Sequence, residues 1–324
     1  MLTPSAPPAE AVGRFQHDLE RLTGPGAAFR LGIAVSGGPD SLALLRLAHA
    51  ALPGGICAAT VDHGLRPEAA REAADVARYC AALGIPHAIL GSEPLPSGNV
   101  QEQARQLRYR LLGGWAEAEG LAFVAVAHHR DDVAETFLMR ALRGSGSGGL
   151  ARMAAAAPMP YCMGSTRLVR PLLEWSRTEL AAIAPDGVQD PSNRDLQYDR
   201  ARMRVLIAAT PALMPEPLAR AAKNLAEAEA ALDWLADQAW RSRATTAPDG
   251  GAILVDAAQL PRDTRRRLAA RAIRQLAPDW SGEGLDRLVD TLDAGKGGTL
   301  GGIKARIHAL AWHFSIAPPR AEHH

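Results

Sequence analysis

The chain has 324 residues, of which 47% are hydrophobic and 22% charged, and its formal net charge is +1. This near-neutral balance excludes a uniformly basic RNA-binding surface, so an RNA site must be a local patch of arginine. Its three cysteines are far apart, which argues against a disulfide framework, a cysteine-ligated zinc site and an iron–sulfur cluster. They are Cys57, Cys80 and Cys162.

The sequence also argues against a membrane location. No apolar run is long enough to span a bilayer, and the first residues have neither the basic nor the apolar segment of a signal peptide. We therefore expect a cytoplasmic protein with no membrane partner. The sequence does not determine the oligomeric state, and a homodimer is compatible with it.

The first two thirds of the chain predict alternating strands and helices. Apolar runs predict strands at 31–35, 56–62, 85–90 and 123–127. Helical periodicity predicts helices at 14–22, 42–51, 67–83, 100–118 and 131–143. Strands separated by helices are typical of an α/β fold with a doubly wound, Rossmann-like parallel sheet. The ligands of such sheets bind beyond the carboxyl ends of the strands.

The last third has a different composition. It is rich in alanine and predicts helices at 218–241, 262–276 and 284–292, with a short strand near 253–256 and a final strand near 308–316. We therefore predict a catalytic domain over 1–212 and a smaller, mainly helical domain over 213–324.

A glycine loop follows the first predicted strand and precedes a helix. Backbone N–H groups at a helix N-terminus attract anions, and glycines let a phosphate approach the backbone closely. An aspartate within the loop has two open roles, as a helix cap or as a ligand of magnesium beside a polyphosphate. The loop consists of Ser36, Gly37, Gly38, Pro39, Asp40 and Ser41.

This loop is neither a Walker A motif nor a G-x-G-x-x-G motif. It resembles the SGGxDS pyrophosphate loop of the N-type ATP-pyrophosphatase (PP-loop) superfamily, whose members cut ATP to AMP and pyrophosphate while adenylating a substrate oxygen. The alternative is a tight turn with a Ser/Asp cap.

A second polar segment, His128–Thr136, follows the fourth predicted strand. Asp132 and Glu135, and with them Asp131, share one helix face. Three explanations stay open: a bound cation or a ligand ammonium group, metal binding without chemistry, and compensation of the helix dipole. Zinc binding by the adjacent histidines is disfavoured because neighbouring side chains on a strand diverge.

Together these segments resemble the tRNA(Ile)-lysidine synthetases. Further segments that match in order are Asp62–Arg66, Glu102–Tyr109, Arg143–Leu150, Arg170–Leu173 and Asp190–Arg200. The resemblance covers about 30–210, and over 213–324 the chain loosely resembles the family's helical tRNA-binding domain. Two features depart from the family: Ala201, where the family usually has Asn, and a shortened segment between Leu180 and Val188. The resemblance implies an ATP-dependent ligase that adenylates C2–O of the wobble cytidine of a tRNA(Ile) with a CAU anticodon. Free L-lysine then displaces AMP to give lysidine.

The resemblance also implies roles for individual residues. The loop 36–41 would bind the pyrophosphate of ATP, with Asp40 holding Mg²⁺. Asp132 and Glu135 would act in catalysis and bind the ammonium groups of lysine, and one of them would accept a proton. His63 and Arg66 would contact adenine or ribose, although a simple loop turn explains them equally well.

Several arginines are candidates for the RNA substrate. Arg105 and Arg108 would face phosphate or the cytidine, or would be solvated helix charges. The candidates for tRNA phosphates are Arg143, Arg200, Arg202 and Arg204. Six further arginines between 262 and 274 fit either an RNA-binding face or, more readily, a solvated helix face. The alternative functions are another PP-loop tRNA-modifying enzyme and a nucleotide- and tRNA-binding protein without turnover.

Overall fold

The computed structural model divides the chain into two compact units, Met1–Ala226 and Glu227–His324. Its described residues are 6–26, 29–62, 64, 67–91, 100–151, 153–162, 164–185, 187, 199–247, 250–308 and 311–318. The division falls inside a long helix, Pro215–Arg243. The functional division at residue 212 stays a prediction.

The first unit alternates strands and helices, as predicted. Its helices are α1 (Ala9–Thr23), α2 (Pro39–Ala51), α3 (Pro67–Ala82), α4 (Val100–Ala118), α5 (Arg130–Leu142), α6 (Ser147–Leu150), α7 (Arg177–Ile183), α8 (Asp199–Ala209) and the start of α9 (Pro215–Arg243). Its strands are β1 (Leu31–Ala34), β2 (Ile56–Asp62), β3 (His87–Gly91), β4 (Phe123–Ala125), β5 (Ala156–Pro158) and β6 (Arg167–Val169).

These strands form one sheet in the order β3-β2-β1-β4-β6-β5. All neighbours are parallel except β5 and β6, which pair antiparallel at one edge. The predicted doubly wound α/β fold is confirmed. The sequence did not predict β5 and β6, because three residues are too few to show a strand period.

Each face of the sheet is buried under its own helices. Leu31 and Ile33 of β1 point into a core shared with α1, α2 and α7. Gly32, between them, points to the opposite face, where a Cβ atom would lie 2.8 Å from Leu121 Cδ1 and 3.0 Å from the Trp115 ring. A residue with a side chain at position 32 would therefore push α4 away from the sheet.

The order of the sheet determines where a ligand can bind. The chain runs outward from β1 to β2 and β3 on one side, and β4 lies on the other side of β1. This reversal is a topological switch point, where the loops after two adjacent strands open a crevice. The loop after β1 and the segment after β4 therefore meet at one end of the sheet.

The second unit combines helices with an antiparallel sheet. It holds the end of α9, α10 (Arg262–Leu276) and α11 (Leu285–Asp293). Its strands are β7 (Ala244–Thr246), β8 (Ala252–Val255), β9 (Gly298–Leu300), β10 (Ile303–His308) and β11 (Ala311–Ile316), in the order β7-β8-β11-β10-β9. Helices hold more of its residues than strands, as predicted, but the short, glycine-flanked strands make a larger sheet than the sequence predicts.

The helices of the second unit cover one face of this sheet. Ile253, Ala305 and Phe314 point into a core with Leu268 and Ile273 of α10. Within the described part of the chain, no helix has both the length and the apolar character needed to cross a membrane.

Candidate active site

The loop after β1 is closed by a serine hydroxyl. Ser41 Oγ accepts a hydrogen bond from the backbone N–H of Ser36 at 3.1 Å and donates one to the carbonyl of Gly38 at 2.9 Å. Ser36 Oγ lies 3.3 Å from the same hydroxyl. Because Ser41 is buried, these bonds hold the loop as a rigid turn around the start of α2.

Glycine is required at the bend of this loop. Gly37 has a φ of +84°, in the left-handed region that other residues adopt at a cost. Gly38 is the N-cap of α2 and provides no side-chain cap, and Pro39 follows in the first turn. The first N–H groups of a helix have no partner within it, so those of α2 are available to an anion.

The segment after β4 is organised by His129. This buried residue is the N-cap of α5, and Asp132 Oδ2 accepts a hydrogen bond from its backbone N–H at 3.1 Å. His129 Nε2 lies 3.4 Å from Asp40 Oδ2 and 3.5 Å from Asp132 Oδ2. One imidazole thus brings together the aspartate of the glycine loop and an aspartate of α5, two residues that we predicted for the site.

The carboxylates around His129 change its titration. Burial opposes protonation of the ring, but the nearby carboxylates of Asp131, Asp40 and Asp132 outweigh it and raise the pKa of His129 to about 9. His129 Nδ1 lies 3.5 Å from Asp131 Oδ2 and 3.2 Å from the backbone nitrogen of Asp131. A protonated Nδ1 donates to the carboxylate, whereas an unprotonated Nδ1 accepts from the backbone N–H. The imidazolium offsets part of the negative charge gathered at this point.

His128 has the opposite character. Burial lowers the pKa of His128 to about 3. The charge of Asp132 opposes this shift, and the charges of Arg170, Arg200 and Arg105 add to it. Its Nδ1 accepts a hydrogen bond from Arg170 Nε at 3.2 Å. His128 is therefore a neutral acceptor at the edge of a group of arginines.

That group includes three arginines that we predicted for the RNA substrate. The guanidinium group of Arg105 lies 5.2 Å from the centre of the Tyr109 ring. Burial lowers the pKa of Arg108, and the charges of Arg105 and Arg200 lower it further. These cations come from α4 and α8, far apart in the chain. The charges of Arg105 and Arg200 act on His128, and that of Arg200 also acts on Asp132, so the fold brings these cations to the segment after β4.

Glu135 has partners that the sequence did not reveal. It is buried, and its Oε1 accepts hydrogen bonds from Arg177 Nη2 and Arg204 Nε, both at 3.0 Å. Its Oε2 is buried and has no hydrogen-bond partner among the residues that the structure describes. Arg177 also binds Asp131 through its backbone N–H, at 3.1 Å. Glu135 is thus held by two guanidinium groups and keeps one oxygen unsatisfied.

A cavity of about 300 Å³ opens beside this cluster. Asp131, Glu135, Arg177 and Arg204 form its charged end. The remainder of its wall is mostly apolar and is formed by Ile207, Ala208, Thr210, Pro211, Leu213, Met214 and Pro215. A ligand with a charged end and an apolar stem fits such a wall.

The other predicted site residues lie in several places. Arg143 and Arg202 both form ion pairs with Asp199, on the exposed side of α8. His63 and Arg66 lie outside the described residues. Sequence reasoning missed the site roles of His129, Arg170 and Arg177. Arg170 stood in a matched segment, but Arg177 had no local signal, because its partner Glu135 lies 42 positions away in the chain.

The residues present fit a magnesium ion. Asp40 Oδ1 is buried and has no hydrogen-bond partner in the described part of the chain, so an oxygen-seeking cation would satisfy it. Among the residues that the structure describes, no three His, Cys, Asp or Glu side chains form a metal cage. Magnesium does not need one, since it is commonly held by one or two carboxylates together with substrate phosphates. Zinc finds no ligand set in the same part of the chain.

Comparison with known proteins first defines the class. The profile of the PP-loop domain matches residues 12–210. Among solved structures, the U34-tRNA thiolase NcsA from Methanococcus maripaludis is similar in fold, with a TM-score of 0.53 and 17% identity over 67% of this chain and 79% of that one. The first unit is therefore a PP-loop domain, a class that uses ATP.

Curated relatives define the family. The tRNA(Ile)-lysidine synthase of Novosphingobium aromaticivorans is 44% identical over 95% of this chain and 94% of its own length. The tRNA(Ile)-lysidine synthase of Zymomonas mobilis is 40% identical over 90% of this chain and 89% of its own length. The chain belongs to the tRNA(Ile)-lysidine synthase family, which confirms the resemblance inferred from the motifs.

Proposed function

We propose that this chain is a tRNA(Ile)-lysidine synthetase, an ATP-dependent carbon–nitrogen ligase. It adenylates C2–O of the wobble cytidine of a tRNA(Ile) with a CAU anticodon and joins L-lysine at C2, releasing diphosphate and AMP. The observation that carries this proposal is the junction at His129. It holds the pyrophosphate loop, through Asp40, within reach of the α5 carboxylates that a lysine ammonium group would need.

In the first step, the cytidine oxygen attacks the α-phosphorus of ATP and the bond to the β-phosphate breaks. The N–H groups at the start of α2, with Ser36, receive the charge of the departing diphosphate. The closed loop keeps these donors fixed, so no reorganisation is needed as charge develops. A urea-like carbonyl is a poor electrophile, and its oxygen becomes a good leaving group only as the adenylate.

Asp40, with Asp132 nearby, would hold Mg²⁺, which when bound supplies positive charge beside the polyphosphate. His129 positions both carboxylates. The positive charge of its protonated ring offsets the repulsion between them and lets them stay close together.

In the second step, the amine of lysine forms a bond to C2 and AMP leaves with the electrons of the C2–O bond. Asp132 or Glu135 accepts the amine proton. The unsatisfied Oε2 of Glu135 and the apolar wall of the adjacent cavity support a place for lysine here. The hydrogen bonds from Arg177 and Arg204 fix the orientation of Glu135.

The arginines beside His128 suit the RNA substrate. Arg105, Arg108 and Arg200 would contact the phosphates or the base of the anticodon, because guanidinium groups bind phosphate and stack on bases. Arg143 and Arg202 are both paired with Asp199 on the outside of α8, so a tRNA phosphate would have to compete with that carboxylate for them. Arg204 is committed to Glu135, so its contact with tRNA would be secondary.

The alternative of tRNA thiolation has no support from the cysteines. Cys57 and Cys80 are buried in different core clusters, and burial raises the pKa of both thiols, that of Cys80 to about 11. A thiolation enzyme generally needs reactive or cluster-binding cysteines near the loop.

The test is transfer of labelled lysine to a tRNA(Ile) transcript with a CAU anticodon, in the presence of ATP and Mg²⁺. The control is a methionine tRNA with the same anticodon. Transfer to the first transcript alone is expected. Release of AMP without lysine transfer would point to a different nucleophile, and the absence of any nucleotide turnover would favour a binding protein.

A further inference from the structure

The chain just before α7 is held from outside by α1. On α1, Phe15 and Leu19 are buried in the core that also contains residues of α2 and α7. Residues four apart on a helix lie on one face, so Arg14 and Asp18, each one position earlier, form the neighbouring face. This face lies against the segment 174–176, which comes directly before α7.

Trp175 is the main residue of this segment that α1 contacts. Its side chain is buried, and a buried indole N–H needs a hydrogen-bond partner. The indole N–H donates to Asp18 Oδ2 at 3.0 Å, and the guanidinium group of Arg14 lies over the ring, 4.2 Å from its centre. Asp18 and Arg14 therefore fix both the position and the orientation of the ring.

The backbone around Trp175 is fixed as well. Arg14 Nη2 donates to the carbonyl of Glu174 at 2.9 Å, and Arg14 Nη1 donates to Glu179 Oε1 at 2.7 Å. The other carboxylate oxygen of Glu179 accepts from the backbone N–H and the hydroxyl of Ser176, at 2.7 and 2.6 Å. One guanidinium group thus joins α1 to residues on both sides of the start of α7.

The inner side of the same segment contacts the candidate site. The carbonyl of Trp175 accepts a hydrogen bond from the backbone N–H of Arg130, the first residue of α5, at 2.9 Å. Two positions later, Arg177 donates its backbone N–H to Asp131 at 3.1 Å and its guanidinium group to Glu135 at 3.0 Å. The charged end of the cavity is therefore built on a segment whose outer side is fixed by α1.

The glycine loop has its own supports. The hydroxyl of Ser41 closes the loop, and the far end of α7 is joined to α2, where Arg46 Nη1 donates to the carbonyl of Ile183 at 2.7 Å. Loss of the α1 contacts should therefore loosen the start of α7 and leave its end in place against α2. The effect should fall on Arg177 and Glu135 and not on the glycine loop.

We propose that Arg14 and Asp18 are positioning residues for lysine, which act through Trp175 to hold Arg177 against Glu135. The inference rests on the proposed function for the identity of the ligand. Among the described residues that line the cavity, neither Arg14 nor Asp18 is found, so both act from a distance. A site whose side chains are already fixed loses less conformational entropy when its ligand binds, and its affinity is higher for that reason.

The test compares Arg14→Gln with Arg30→Gln as a matched control, both in the full chain. The two arginine side chains are 39% and 41% exposed, and each is paired with one glutamate. Arg14 contacts the segment 174–176, whereas Arg30 pairs with Glu119 at 2.9 Å. The KM values for lysine and for ATP are measured by transfer of labelled lysine to a tRNA(Ile) transcript with a CAU anticodon.

Arg14→Gln is expected to raise the KM for lysine about fivefold or more and to keep the KM for ATP within about twofold of the wild type, because only the lysine side of the site is displaced. Arg30→Gln should leave both constants unchanged. A merely structural role would affect both substrates alike. An equal rise in the two KM values, or an unchanged KM for lysine, would overturn the inference.

Two variants of Asp18 test the contact with Trp175 separately. Asp18→Ala removes the acceptor of the indole N–H and should raise the KM for lysine in the same selective way. Asp18→Asn keeps an oxygen that accepts this hydrogen bond, so its KM for lysine should return towards the wild-type value. Equal values in the two variants would contradict positioning through this hydrogen bond.

Hydrogen exchange separates this proposal from the proposed function, because it needs no lysine transfer. In Arg14→Gln, peptides that cover 130–135 and 174–179 should exchange faster than in the wild type, and peptides that cover 36–46 should not. A wild-type chain that transfers no lysine would contradict the proposed function, whereas this pattern of exchange would still support the role of α1 in holding Arg177. An active Arg14→Gln variant with normal exchange and a normal KM for lysine would overturn the positioning role alone.

Discussion

Arg204 Nε donates a hydrogen bond to Glu135 Oε1 at 3.0 Å, and this contact joins α8 to α5 across 69 positions of the chain. Arg177 binds the same oxygen from α7. A carboxylate that has two guanidinium partners and one unsatisfied oxygen is firmly oriented and still able to accept a ligand donor. The geometry gives Glu135 a definite role to test.

Glu135→Gln should raise the lysine requirement much more than the ATP requirement. The amide keeps the shape of the side chain but loses the charge that would attract an ammonium group, a loss worth about 1.5–3 kcal/mol for a hydrogen bond to a charged group. We therefore expect the KM for lysine to rise at least about tenfold. The measurement is the rate of lysine transfer with each substrate varied in turn. An unchanged KM for lysine would remove Glu135 from the lysine site.

Asp40→Asn should abolish turnover and leave the fold intact. Within the described residues Asp40 Oδ1 has no hydrogen-bond partner, and the isosteric amide keeps a polar group beside His129 Nε2, so few structural contacts are lost. The lost charge would remove the magnesium ligand, and we expect AMP release to fall by about 10²-fold or more. Thermal unfolding provides the control, since the midpoint should stay close to that of the wild type. Near-normal lysine transfer by this variant would contradict the role assigned to Asp40.

Gly187→Ala should weaken ATP use through the glycine loop. A Cβ atom at position 187 would lie 2.4 Å from Pro39 Cα and 2.5 Å from Pro39 N, so the added methyl group must displace the start of α2. We expect a higher KM for ATP. The matched control is Gly114→Ala in α4, where a Cβ atom meets nothing within 4 Å.

The control should move stability in the opposite direction. Replacing a helical glycine by alanine stabilises a helix by about 1 kcal/mol, so Gly114→Ala should unfold at a higher temperature with an unchanged KM for ATP. Equal kinetic behaviour of the two variants would show that Gly187 does not support the loop.

Arg267→Gln should destabilise the second unit, because three carboxylates lose one partly buried partner. We expect a loss of about 1–3 kcal/mol in the free energy of unfolding. Arg262→Gln, whose ion pairs are exposed and screened by solvent, should cost less stability than Arg267→Gln. Urea unfolding of both variants measures the difference. A larger loss in Arg262→Gln would show that burial does not determine the strength of these pairs.

The capping box of α7 should contribute stability that depends on pH. Burial opposes ionisation of Glu179, but hydrogen bonds from Ser176 and Arg14 outweigh it and lower the pKa of this carboxyl. Its contribution is fully present above the ordinary glutamate pKa of about 4.3 and is lost as the pH falls through the lowered value. Glu179→Gln should thus be less stable than the wild type at neutral pH and equal to it in acid. A difference that persists in acid would contradict this origin.

The sequence by itself determined the alternation of strands and helices, the glycine loop and the acidic start of α5. All of these features depend on residues within a few positions of each other. The periodicity of apolar residues determines strand or helix, and the conformational freedom of glycine allows the loop. The order of motifs along the chain also sufficed to indicate the family. Short strands such as β5 and β6 were not predicted, because three residues are too few to show the alternation of a strand.

Only the tertiary structure decided which side chains meet. The junction of Asp40, His129 and Asp132 forms because β1 and β4 are neighbours in the sheet, an arrangement that no local pattern contains. Arg177 and Arg204 reach Glu135 from distant helices in the same way. In the second unit, folding brought five arginines of α10 to carboxylates, most of them on α9 and α11, since charge pairing depends on distance in space and not on position in the chain.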